Sequence, residues 1–253
     1  MRKKNLTKGK SNQKQAGIAV NTFTVPFVLG EIKESITINT KTNANSKLSK
    51  EEIVEKAFNF HSQGKISEAS KYYQYFIDQG FKDPRVFSNY GNIFRDLGKL
   101  QAAELSTRKA IEIRPDFAEA HSNLGIILKD LGKLDDAELS YRKAIEIKSD
   151  YAEAHSNLGI LLKELGKLKE AELSTRKAIQ INPNFSESHY NLGGILRDLE
   201  KLKEAELSTR KAIELKPDFA NAHYNLGNIS RDLGNFDDAI SQFKQALKSN
   251  NEL

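Results

Sequence analysis

The chain of 253 residues contains no cysteine, five prolines and no long uninterrupted apolar run. Without cysteine there is no disulfide, no thiolate metal site and no cysteine nucleophile, which fits a reducing cytoplasm. The most apolar stretch, AGIAVNTFTVPFVLG at 16–30, is broken by Asn21, two threonines and Pro26. It is too short and too polar to span a bilayer, and it lacks the continuous apolar core of a signal peptide. Acidic residues are missing from 1–17, where Arg2, Lys3, Lys4, Lys8, Lys10 and Lys14 give +6 of a formal charge of +5, leaving −1 for the rest. That basic tail is compositionally a disordered one, and is the only segment suited to electrostatic contact with nucleic acid or anionic lipid.

Catalytic signatures are absent as well. The chain has no phosphate-binding glycine loop, no HExxH, no GxSxG and no nucleophile beside a recognisable base. The expectation is therefore a protein that is not an enzyme and carries no cofactor or metal.

What is present is a period of 34. The octet ELSTRKAI stands at 104, 172 and 206, with ELSYRKAI at 138. AHSNLG at 120 and 154 keeps the same step, with variants VFSNYG at 86, SHYNLG at 188 and AHYNLG at 222. Five copies align without a gap over 84–117, 118–151, 152–185, 186–219 and 220–253, and a divergent sixth fits upstream over 50–83, with Ala57, Gly64, Ala69 and Tyr73 in phase. Residues 18–49 then form an apolar, extended segment and a polar linker. The segments outside the repeats are too short for an independent enzyme domain.

Each repeat reads as two helices. In 118–151, Ala120, Leu124, Ile127, Leu128 and Leu131 fall at helical spacing and Gly132 suits a left-handed C-cap. A second apolar set follows: Leu134, Ala137, Leu139, Tyr141, Ala144, Ile145 and Ile147. Pro115, Pro183 and Pro217 close three of the repeats, Ser49 and Glu52 make a capping box for the first helix, and no strand pattern is needed within 50–253. The last repeat has Ser241 and Ser249 where the preceding four have Leu105, Leu139, Leu173, Leu207 and Ile113, Ile147, Ile181, Leu215, which reads as a terminal helix with a wet far side.

On Leu124, Gly125, Ala137, Tyr141 and Ala144, and again on Leu226, Gly227, Ala239, Phe243 and Ala246, the chain resembles the tetratricopeptide repeat family. The resemblance implies an all-α, right-handed superhelical solenoid of stacked antiparallel helix pairs. It departs from the family pattern in placing His121, His155, His189 and His223 where a bulky aromatic is usual, and Thr107, Thr175 and Thr209 at the second-helix aromatic position. Equivalent histidines in adjacent repeats stand too far apart to share a zinc ion, so packing and hydrogen bonding between helices is their expected role.

The family geometry implies that first helices line the concave face. Five asparagines, Asn89, Asn123, Asn157, Asn191 and Asn225, would then form one row, with Asp96, Asp130, Glu164, Asp198 and Asp232 two turns further along the same faces. An amide both donates and accepts, as an extended peptide backbone requires whatever its sequence. The row resembles the asparagine ladder in the repeat arm of protein O-linked N-acetylglucosamine transferases, which holds the main chain of a protein substrate. At about 8 to 10 Å per packed helix, five rungs span on the order of 40 Å. An extended ligand of roughly 12 residues would be covered.

The carboxylate-clamp lysines of other family members are replaced by Ser122, Ser156, Glu119 and Glu153, and alternating charges on this face disfavour nucleic acid. The expected function is a scaffold binding an extended segment of another protein. The alternative is a substrate-presenting arm for a glycosyltransferase or other enzyme on a separate chain. The segment 18–38 is expected either to strap the first repeat or, through Phe23 to Leu29, to enter the groove of its own or a second copy. One further expectation concerns stability: Glu200 stands where Gly98, Gly132, Gly166 and Gly234 turn the chain elsewhere.

Overall fold

A computed structural model of the chain describes residues 48–251. The basic tail, the segment 18–38 and most of the linker lie outside them. Within the described residues there are twelve helices and no strand. They pair as α1 (Lys50–Ser62) with α2 (Ile66–Asp78), α3 (Pro84–Asp96) with α4 (Leu100–Ile113), α5 (Ala118–Asp130) with α6 (Leu134–Ile147), α7 (Ala152–Glu164) with α8 (Leu168–Ile181), α9 (Ser186–Asp198) with α10 (Leu202–Leu215), and α11 (Ala220–Asp232) with α12 (Phe236–Asn251). This is the all-α solenoid expected from the period. No helix among the described residues is long and apolar enough to cross a membrane.

The contacts run in a fixed order along the stack. Each second helix packs on its own first helix and on the first helix of the next repeat, and from α3 to α11 the first helices also touch one another. First helices therefore form one continuous layer. Second helices form another, in which neighbours are separated.

Small residues set the distance between the layers. A β-carbon at Gly125 would lie 2.6 Å from Cε1 of the Tyr141 ring, and one at Gly227 would lie 2.6 Å from Cε1 of Phe243. At Gly91, Gly159 and Gly193 the obstructing group is Thr107, Thr175 or Thr209. The repeated pairing of a first-helix glycine with a second-helix Thr or aromatic thus has a steric cause. Ala137, Ala171 and Ala205 are fully buried beside these contacts, and Tyr141, Leu161, Leu162 and Leu196 fill the interior between repeats. The first pair is built from aromatics instead: Tyr73 is fully buried and its ring centre lies 5.9 Å from that of Tyr90, which is 4.2 Å from Phe94.

The turn inside each repeat follows the expected chemistry. After α5, the Gly132 amide donates to Lys129 O at 2.9 Å and the Lys133 amide to Leu128 O at 2.9 Å, with Gly132 at φ 74°. This paired closure satisfies the last carbonyls of the helix. After α9 the same two bonds form around Glu200, at 2.9 Å each, with φ 61°. Glu200 is thus held left-handed by a turn built for glycine. The Ser49–Glu52 capping box is also formed, at 2.8 and 3.2 Å.

One packing expectation fails. Leu105, Leu139, Leu173 and Leu207 are 46%, 66%, 70% and 71% exposed rather than buried against the following repeat. The separation of neighbouring second helices is the reason, since nothing in the adjacent pair reaches over them. The difference at Ser241 consequently says nothing about a terminal repeat.

Candidate functional site

Because first helices touch one another, residues at one position of consecutive repeats fall in a row. Asn89, Asn123, Asn157, Asn191 and Asn225 are all half-buried on that layer. Four of them spend one N–H inside the solenoid. Asn123 Nδ2 donates to Ser88 Oγ at 3.0 Å and Asn191 Nδ2 to Ser156 Oγ at 3.3 Å, each across a repeat boundary. Asn89 reaches the Tyr73 hydroxyl at 3.5 Å and Asn225 the Thr209 hydroxyl at 3.4 Å, each within its neighbouring second helix. An amide nitrogen carries two hydrogens. One N–H and the Oδ1 acceptor therefore remain at these rungs.

Asn157 departs from the row, with no side-chain hydrogen bond among the described residues. Its counterpart hydroxyl would be Ser122, the equivalent of Ser88 and Ser156. That hydroxyl acts on the Tyr151 phenol, opposing the upward push that burial gives its pKa. Residues 117, 185 and 219, at the same position of other repeats, are phenylalanines and bring no hydroxyl.

The acidic row is largely committed to cations. Lys129 pairs with Glu164 at 3.0 Å, Lys163 with Asp198 at 3.2 Å and Arg197 with Asp232 at 2.7 Å, each reaching one repeat forward. Asp232 also takes Arg231, and Asp96 takes its neighbour Arg95 at 2.8 Å. Burial pushes the Asp232 carboxyl up, yet the hydrogen bonds from Arg197 and Arg231 outweigh it and hold the group below the usual carboxylate range. Asp130 makes no ion pair among the described residues, because Arg95, the cation that would reach it, turns to Asp96. The alternating charges of the sequence thus resolve into stitches between repeats.

The histidines also stitch. Nε2 of His121, His155, His189 and His223 donates to the carbonyl six residues earlier, at Pro115, Ser149, Pro183 and Pro217, over 2.9 to 3.1 Å. Each ties a first helix to the loop that leads into it. The expected bonding between helices is made only by His223, whose Nδ1 also meets Gln242 on α12 at 2.9 Å; the other three bond to their own leading loops.

On the opposite layer Glu104 with Arg108, Glu138 with Arg142, Glu172 with Arg176 and Glu206 with Arg210 pair at i, i+4 and belong to a longer network. Lys133 reaches back to Glu104 at 2.7 Å, Lys167 to Glu138 at 2.8 Å and Lys201 to Glu172 at 2.8 Å. Arg142 bridges forward to Glu170 at 2.9 Å, Arg176 to Glu204 at 2.7 Å and Arg210 to Asp238 at 3.0 Å. The carboxylates of Glu104, Glu138 and Glu172 are only 13–15% exposed. Hydrogen bonds from Lys167 and Lys201 hold Glu138 and Glu172 below the usual carboxylate range; at Glu104 burial opposes the shift, but Lys133 and Arg108 prevail. The recurrent 29-residue step from Glu104, Glu138 and Glu172 to a lysine is the signal of this network in the sequence.

No group of His, Asp or Glu among the described residues is arranged to hold a metal ion. Models of the TPR repeat match residues 91–132, 127–166 and 193–230, and the tetratricopeptide repeat model matches 152–185 and 220–252, together more than half of the chain. No curated protein matches it. Among solved structures, the chain is similar to MamA at 25% identity, covering 68% of this chain and 97% of MamA with a TM-score of 0.58. It is also similar to a tetratricopeptide repeat protein from Parabacteroides merdae ATCC 43184, at 19% identity over 79% of each chain and a TM-score of 0.65. YrrB, described as a TPR protein with an unusual peptide-binding site, shares 22% identity over 70% of this chain and 91% of its own, with a TM-score of 0.55.

Proposed function

Because the chain belongs to the tetratricopeptide repeat family, we propose that it is a non-catalytic scaffold that holds an extended segment of another protein along its first-helix layer. The observation that carries this reading is the row of five half-buried asparagines on helices that touch one another. Each rung keeps an acceptor and at least one donor, the pair that a peptide group needs. Asn157, with both N–H groups uncommitted, is the strongest rung. The inward bonds to Ser88, Ser156, Tyr73 and Thr209 restrict the other amides, which lowers the entropy cost of engaging a ligand.

The acidic positions have two roles in this reading. Glu164, Asp198 and Asp232 neutralise the cations beside them and keep the surface free of a net field. Asp130, without such a partner, is the acid that offers its charge to a ligand.

Binding of the wild type and of an Asn123→Ala, Asn157→Ala, Asn191→Ala triple variant to an array of 12-residue peptides tests the proposal, with thermal melts as the control. The expected result is loss of binding by the variant with its cooperative melt retained. Equal binding by both proteins would remove the asparagines from the recognition mechanism.

A further inference from the structure

The second-helix layer carries a feature that the groove does not use. Leu105, Leu139, Leu173 and Leu207 form a row of large apolar side chains, one per repeat, exposed by 46% to 71%. The equivalent positions in the first and last pairs are Lys71 and Ser241, so a polar residue is compatible with the fold there. Isolated exposed leucines are ordinary, whereas a regular series beside open apolar slots is a binding surface in form.

Among the described residues two such slots lie one repeat apart, each with a volume of about 480 Å³. They exist because α6, α8 and α10 do not close upon one another, leaving the first helix between them as a floor. In the slot between α6 and α8, Leu158 and Leu162 form the floor and Ile145 and Leu173 the walls. Between α8 and α10 the same places are taken by Leu192, Leu196, Ile179 and Leu207. A volume of this order admits a bulky aliphatic or aromatic side chain with its neighbours.

Charge distinguishes the edge shared by the two slots. Lys109, Lys143 and Lys211 each hold a glutamate three residues on, at 2.6 to 2.7 Å. The fourth equivalent, Lys177, meets Gln180 instead, at 3.1 Å, so its charge is not neutralised by a neighbouring carboxylate. Lys177 lines the first slot and Gln180 the second. An exposed cation between two apolar slots complements a carboxylate flanked by two apolar side chains.

We propose that the slots between α6, α8 and α10 bind a segment of a partner protein that places one bulky apolar side chain in each slot and an acidic residue against Lys177. The surface lies on the layer opposite the asparagine row, so the solenoid holds two protein segments at once. This inference does not depend on the groove reading.

The test is a displayed random library of 16-residue peptides, selected in parallel on the wild type and on a Leu173→Ser, Leu207→Ser variant, with melts as the folding control. Peptides enriched only on the wild type are expected to carry two bulky apolar residues around an Asp or Glu. Synthesised singly, they should lose at least tenfold in affinity on Lys177→Glu, a substitution that leaves all apolar packing in place, and should bind the asparagine triple variant unchanged. Identical pools on the two baits, failure of the wild type to enrich any peptide, or indifference of the enriched peptides to Lys177→Glu would each overturn the proposal. Loss of the same peptides on the asparagine triple variant would assign them to the groove and overturn it equally.

Discussion

On the second-helix layer, Glu138 and Glu172 are 13% exposed and each receives an arginine from its own helix and a lysine from the next repeat. On the first-helix layer, Glu164 and Asp198 are 43% and 39% exposed and each receives a single lysine. Both sets join adjacent repeats, but solvent screening makes the second kind weak. The second-helix layer is thereby fastened to itself, while the first-helix layer keeps amide groups with hydrogen-bonding capacity that no intramolecular partner uses.

The largest way to break this arrangement is to disturb the contact that separates the layers. Gly125→Ala would normally favour a helix by nearly 1 kcal/mol. Here the added methyl meets the Tyr141 ring at 2.6 Å, and Tyr141 is fully enclosed, so the overpacking cost of about 1 to 3 kcal/mol decides the sign. Urea unfolding should show net destabilisation; a gain would mean that the Tyr141 ring moves aside freely.

Next comes the ion network. Glu138→Gln removes a largely buried negative charge shared by two cations and turns one of its two accepting oxygens into a donor, and is expected to cost about 1 to 2 kcal/mol, against less than about 1 kcal/mol for Asp198→Asn on the other layer. The Glu138 carboxyl lies below its ordinary value of 4.5, so its contribution is present above that pH and lost as pH falls through the lowered value. The difference in melting temperature between wild type and Glu138→Gln should therefore close in acid. A gap that persists undiminished well below pH 4 would show that the charge is not its source.

A turn outside both layers gives a third effect of opposite sign. At φ 61° a residue with a side chain is strained by about 1 to 2 kcal/mol, and glycine gives back part of that through the freedom of its unfolded chain. Glu200→Gly is expected to stabilise by about 1 kcal/mol, read as a higher unfolding midpoint; no change would mean that the Glu200 side chain compensates for the backbone.

The repeat period and the left-handed turn at Glu200 were legible because the same residues recur at a fixed step of 34, and the helix pairs and the capping box at Ser49 because each depends on residues a few positions apart. The exposure of Leu105, Leu139, Leu173 and Leu207 was not. Apolar periodicity tells which side of a helix is greasy, and only the spacing of neighbouring second helices tells whether anything covers it. The candidate groove was legible as a row of residue types. Its hydrogen bonding was not, because the partners of Asn123 and Asn191 lie 35 residues back and Asn157 lacks the bond that its neighbours in the row make.

That last difference provides the smallest and sharpest test within the first-helix layer. Asn123→Ala removes a bond to buried Ser88 and is expected to cost about 1 kcal/mol, whereas Asn157→Ala, which removes no intramolecular bond, should fall within about 0.5 kcal/mol of wild type. If Tyr151 is what keeps Ser122 from Asn157, then Tyr151→Phe should be nearly neutral alone and should make Asn157→Ala as costly as Asn123→Ala. A double-mutant cycle on residues 151 and 157, read by denaturant unfolding, isolates that coupling. Coupling near zero would mean that Asn157 is held off Ser122 by the backbone itself. Coupling near 1 kcal/mol would mean that a single phenolic oxygen decides which rung of the row keeps its full hydrogen-bonding capacity for a ligand.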